Sequence, residues 1–116
     1  MKESKNGSIN VVTYARCTTQ RQSDAAAAIE NQSQELESYC LRNNFRVLAS
    51  FLDTGCSGDR RARPGLCAAI RFCKQNRERT HRFVTTDLSR LSRMSPDLFQ
   101  ILDEFQDMDI DVEVID

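Results

Sequence analysis

The sequence predicts an α/β fold in which a mainly parallel β-sheet carries helices on both faces. Three observations lead there. Apolar, β-branched runs of strand length alternate with segments whose apolar residues recur at three- and four-residue steps. Read along the chain, the order is β-α-β-α-β-α-β, which a parallel sheet with crossover helices satisfies. At 116 residues the chain is long enough for one domain and too short for a second.

Each element has its own signal. Met1 to Gly7 is polar and is expected to fray. Ile9 to Tyr14 is rich in β-branched and aromatic residues and predicts a buried first strand. Ser23 or Asp24 can cap a helix that begins in the alanine run at Ala25 and continues to about Arg42, where Asn43-Asn44 stops it. Its inward face collects Ala25, Ala28, Ile29, Gln32, Leu36, Tyr39 and Cys40. Gln32 is the polar intruder there, and a buried amide needs partners. Either it bonds the backbone of a neighbouring loop or it points into a polar site.

Phe45 to Leu52 predicts the second strand, and Asp53 to Arg63, with two glycines and three arginines, predicts a loop that carries function. Pro64 suits the first turn of a helix that buries Leu66, Ala69, Ile70 and Cys73. Arg82 to Leu88 is expected to form the third strand. Ser95-Pro96-Asp97 is a helix start, with Leu98, Ile101, Leu102 and Phe105 as the core face and Phe99 off that stripe. Asp109 to Glu113 alternates acids with Ile110 and Val112, the period of a half-buried strand, and Val114-Ile115 continues it.

Composition narrows the class. Hydrophobic residues make up 40% and charged residues 28%, ordinary for a globular protein, and no apolar run approaches the length of a membrane span. Five cysteines, Cys17, Cys40, Cys56, Cys67 and Cys73, include no C-x-x-C pair and no histidine at ligand spacing. They read as reduced thiols of a cytoplasmic protein, and a zinc site is not expected. Net charge is −1, yet ten of the 16 basic residues lie between Arg60 and Arg93 and eight of the 17 acidic ones between Asp97 and Asp116. Such segregation permits a local anion site in a neutral chain.

The polar loops Arg16 to Gln22, Asp53 to Arg63 and Asp87 to Arg93 each follow a strand. In a parallel sheet they emerge at one edge, which gathers Arg16, Arg63, Arg90 and Arg93 around the hydroxyls of Thr18 and Thr19. Converging guanidinium groups fit phosphate oxygens, and a phosphodiester attacked by a hydroxyl needs such help as charge builds on phosphorus-bound oxygen. Other phosphate chemistries fit less well. A phosphatase loop on Cys17 would want arginine where Ser23 stands, and a receiver domain would want acids at the first strand. There is no Walker or Rossmann glycine pattern. Arginines outnumber the edge carboxylates Asp53, Asp59 and Asp87 that a metal nuclease would need.

Four motifs in order, Tyr14-Ala15-Arg16 with Gln22, Glu30-Asn31-Gln32, Asp53 to Gly58 followed by Arg63-Pro64-Gly65-Leu66, and Arg90-Leu91-Ser92-Arg93, resemble the catalytic domain of the serine recombinases of the resolvase and invertase family. The resemblance implies a flavodoxin-like three-layer sandwich. It implies an enzyme that cuts and rejoins DNA through a covalent 5′-phosphoseryl link, without metal or cofactor, as a dimer or tetramer. Arg16, Arg63, Arg90 and Arg93 match the arginines that activate the scissile phosphate, and Tyr14, Gln22, Gln32 and Ser57 match supporting residues. At the nucleophile position the family has serine, and this chain has Thr18. Ser89 and His81 stand where the family has acids, departures that bear on proton transfer and arginine orientation. Residues 1–116 are expected to be the catalytic domain alone, without the dimerisation helix and DNA-binding domain that follow it in the family. The alternatives are a resolvase-like DNA-binding or assembly module with impaired catalysis, or a regulatory domain that binds a small phosphorylated ligand.

Overall fold

A computed structural model of the chain describes residues 8–17, 22–54, 63–86 and 96–115. The elements are β1 (Ile9–Cys17), α1 (Gln22–Arg42), β2 (Phe45–Thr54), α2 (Pro64–Gln75), β3 (Arg82–Thr85), α3 (Pro96–Asp107) and β4 (Asp111–Val114). This is the predicted alternation. All pairings are parallel, and the strands lie side by side in the order β2-β1-β3-β4.

β1 is central because it can be buried on both sides. Its two-residue period sends Val12 and Tyr14 into a core with Leu66, Ala69, Ile70 and Cys73 of α2 and Leu98, Ile101 and Phe105 of α3. Val11 and Ala15 enter a second core, with Leu36 and Cys40 of α1. The result is a three-layer sandwich, α1 on one face and α2 with α3 on the other. The same alternation puts Arg16 on the α2 side, beside Tyr14. Because α1 and α2 cover opposite faces, the strand order reverses between β1 and β3, and open α/β sheets bind their ligands outside the carboxyl ends of the strands at such a point.

The apolar stripe of α2 is buried at all four predicted positions. Asn44 ends α1 with φ 58°, a left-handed conformation that asparagine tolerates at a helix C-terminus. Phe99 is 56% exposed, as its place off the α3 stripe predicts.

Several strand boundaries differ from expectation. β1 and β2 run on to Cys17 and Thr54, because ladder pairs Arg16 with Asp53 and Cys17 with Thr54 extend strands that propensity alone ends earlier. β4 begins at Asp111 and not Asp109, whose φ of 58° is incompatible with a strand. β3 stops at Thr85 and Thr86 bends away, while the remaining predicted strand residues, Asp87 and Leu88, lie outside the described residues.

Candidate active site at the carboxyl edge of the sheet

The edge is tied together by Asp53. Helix α2 begins badly: Arg63 holds its cap position, no side chain there caps it, and its first turn has no acid. Asp53, at the end of β2, supplies what is missing. Its Oδ1 accepts the Gly65 amide at 2.7 Å and its Oδ2 accepts the Leu66 amide at 2.9 Å, so a carboxylate meets the positive end of the helix dipole. The approach is close enough that a Cβ on Gly65 would sit 2.2 Å from the Leu52 carbonyl oxygen. Only glycine fits there.

Asp53 Oδ2 also accepts the Tyr14 hydroxyl, at 2.7 Å. Burial first, then the hydrogen bond to Asp53 and its charge, pushes the Tyr14 phenol far above its ordinary value, while Arg63 and Arg16 act in the opposite sense. Both arginines therefore lie within electrostatic reach of one hydroxyl. The shift has a sign in stability. A phenol whose folded value is raised keeps its full stabilisation below its ordinary value of 10.0 and loses it as pH climbs further. Tyr14→Phe is expected to flatten the fall of unfolding free energy above about pH 10, measured by urea titration across alkaline pH. An unchanged slope would contradict the assignment.

Arg16 is 7% exposed, and its backbone is held by an unusual partner. Among the described residues β3 pairs with β1 from Val11 to Tyr14. Tyr14 O accepts the Thr85 hydroxyl at 3.0 Å. One strand period on, Gln32 of α1 meets the strand backbone: its Nε2 donates to Arg16 O at 2.8 Å and its Oε1 accepts Arg16 N–H at 3.2 Å. The polar intruder on α1 is thus satisfied by strand backbone. Gln32→Leu would strand a buried donor and acceptor, each worth about 1–3 kcal/mol. The expected loss is about 3 kcal/mol in urea unfolding, with faster amide exchange at Arg16; a loss below about 0.5 kcal/mol would show that the amide is dispensable.

Arg63 is completely buried, and its Nη2 lies 3.6 Å from Oδ2 of Asp97 in the first turn of α3. Four elements thus deliver charge to one place: Arg16 from the end of β1, Asp53 from the end of β2, Arg63 from the start of α2 and Asp97 from the start of α3. The sequence places Asp53 at a strand end among the edge carboxylates and Asp97 at a helix start. The uncapped start of α2 was the available signal for Asp53.

Of the other predicted site residues, Thr18, Ser57, Arg90 and Arg93 lie outside the described residues, as do Thr19 and Ser89. Gln22 opens α1, but its side chain is likewise outside. His81 is far from the site. Its Nδ1 accepts the Asn10 amide at 2.8 Å at the amino edge of the sheet, six strand residues before Arg16, which is about 20 Å. The expectation that it bears on proton transfer or arginine orientation is corrected accordingly. Cys17, Cys40, Cys67 and Cys73 form no disulfide, and burial raises the Cys40 thiol. Among the described residues no group of three His, Cys, Asp or Glu could hold a metal ion, and no helix is long and apolar enough to cross a membrane.

The family model for the resolvase N-terminal domain matches residues 11–116, nearly the whole chain and every strand and helix of the site. The chain belongs to the resolvase N-terminal domain family. Solved structures agree. The N-terminal catalytic domain of TP901-1 integrase is similar at 25% identity and a TM-score of 0.79, over 91% of this chain and 77% of that one. The C-terminal catalytic domain of ISC1926 TnpA, an IS607-like serine recombinase, is similar at 25% identity and 0.77, over 91% and 69%. A serine recombinase from Sulfolobus solfataricus is similar at 25% identity and 0.68, over 93% and 69%. No curated protein matches the chain. The four-stranded parallel sheet with its helices is therefore the resolvase-type catalytic-domain fold, and the chain is of the serine recombinase catalytic-domain family.

Proposed function

We propose that this domain breaks and rejoins DNA by phosphodiester transfer at the carboxyl edge of the sheet, with Thr18 as the attacking residue, in an oligomer assembled on DNA. The burial of two arginines at this edge, Arg16 at the end of β1 and Arg63 at the cap of α2, supports the reading most directly. Two buried guanidinium groups are costly to maintain, and a phosphate is the ligand their planar forks suit. Thr18 follows Arg16 by two residues at the end of the central strand.

In the reaction the Thr18 oxygen bonds to phosphorus, the bond from phosphorus to the 3′ oxygen breaks, and the hydroxyl proton ends on that 3′ oxygen. A 5′-phosphothreonyl ester and a free 3′-hydroxyl result. Attack by the 3′-hydroxyl of another end reverses the exchange and frees Thr18. One ester replaces another, so no energy-supplying cofactor is required. Arg16, Arg63, Arg90 and Arg93 offset charge on the phosphoryl oxygens, and Gln22, Gln32 and Ser57 hold the loop and backbone around them. The methyl of threonine restricts χ1, and each 1.4 kcal/mol of misalignment costs about tenfold in rate.

The complete burial of Arg63, which in this conformation keeps its guanidinium from a phosphate, favours a second reading, a resolvase-like DNA-binding or assembly module with impaired catalysis. A nicked suicide substrate carrying the recombination site separates the two. The full-length protein is expected to form a covalent adduct that Thr18→Ala abolishes and Thr18→Ser accelerates. No adduct from the natural protein, with one appearing in Thr18→Ser, would establish the second reading.

A further inference from the structure

We infer that Asp97 is the positioning residue for Arg63: its carboxylate fixes the direction in which the guanidinium meets the scissile phosphate. The inference rests on the reading of Arg63 as a phosphate ligand. A completely buried guanidinium is cut off from water and needs a counter-charge close by. Asp53 is poorly placed to orient it, because its two oxygens already take the Gly65 amide, the Leu66 amide and the Tyr14 hydroxyl. Asp97 Oδ2, by contrast, accepts no hydrogen bond among the described residues and stands 3.6 Å from Arg63 Nη2. At that separation the attraction is mainly coulombic.

The backbone that carries the carboxylate is also firmly mounted. It sits in the first turn of α3, where the helix dipole favours an anion, and the next residue, Leu98, is buried in the core. Arg16 presents a like charge to the same neighbourhood, since both arginines act on Tyr14. A carboxylate on another element opposes the repulsion between the two. Asp97 is that carboxylate, and it stands apart from the phosphate-binding residues themselves.

The test compares Asp97→Asn and Asp97→Glu in the full-length protein by two measurements. The first is the side-chain Nε–H nuclear magnetic resonance signal of Arg63 without DNA. The second is the single-turnover rate of adduct formation on the suicide substrate, beside DNA affinity. Asp97→Asn is expected to broaden or shift the Arg63 signal and to slow adduct formation about a hundredfold, the scale of a small misplacement of a reacting group, with DNA affinity unchanged. Asp97→Glu, which keeps the charge and can span the gap, is expected to restore both. An Arg63 signal that is the same in Asp97→Asn as in the natural protein overturns the inference. So do equal rate losses in both variants that track loss of thermal stability, because Asp97 would then be structural. If the natural protein forms no adduct at all, the functional reading fails, and the Arg63 signal still decides the role of Asp97.

Discussion

Asp53→Ala is expected to cost about 4 kcal/mol of folding stability, since it orphans three donors worth roughly 1–3 kcal/mol each. The Gly65 and Leu66 amides lie at the start of α2, and the Tyr14 hydroxyl is buried in the core, so water cannot replace the carboxylate at all three. Small domains have only about 5–15 kcal/mol in total, and for a chain of this size the loss lowers the melting temperature by roughly 15–30 °C. Asp53→Asn separates shape from charge. Its carbonyl oxygen can keep one or two of the donors, while its amide group turns a donor toward a donor, so an intermediate loss of about 2 kcal/mol is expected. Urea unfolding of both variants is the measurement. A loss under about 1 kcal/mol in Asp53→Ala would mean that α2 finds another cap.

The same residue shows how far the sequence could be read. Element order, the buried stripe of α2 and the stop at Asn43-Asn44 were legible because each depends on local periodicity or local backbone preference. The ends of β1 and β2 were not, because Ala15-Arg16-Cys17 and Asp53-Thr54 have no strand composition. They are extended by pairing with each other and, at Arg16, by an amide from another element. β4 was begun two residues early because alternation in Asp109 to Glu113 says nothing about the left-handed φ of Asp109. For the site, residue types and their loops pointed to phosphate, and the family resemblance named the residues. What stayed hidden is the support. Asp53 caps a helix that starts eleven residues later, and Asp97 faces an arginine on another helix. Neither partnership leaves a short-range pattern, although a helix opening with Arg63-Pro64-Gly65 and no local cap does call for an acid from elsewhere.

Arg63→Met is expected to do the reverse of Asp53→Ala, leaving the fold nearly intact and removing the chemistry. Methionine is close in length to the arginine stem and fills irregular space. Replacing both members of a buried ion pair by hydrophobic side chains is often neutral or stabilising, whereas removing one member is costly when the other stays buried and uncompensated. Asp97, at 23% side-chain exposure, can turn its carboxylate toward water, and Asp53 keeps all three of its donors. Stability should therefore fall by less than the roughly 3–5 kcal/mol that an uncompensated buried charge costs. Adduct formation should fall by about 10²–10³, the usual effect of deleting one donor to transition-state charge, because the remaining arginines cannot supply the same fork from the same direction. The pair of variants then separates two roles on one edge: in Asp53→Ala the rate follows the folded fraction, whereas in Arg63→Met it falls in a protein that is folded. Adduct formation at the natural rate in Arg63→Met would make this buried arginine a link between α2 and α3 and leave the phosphate to Arg16 and to the arginines Arg90 and Arg93.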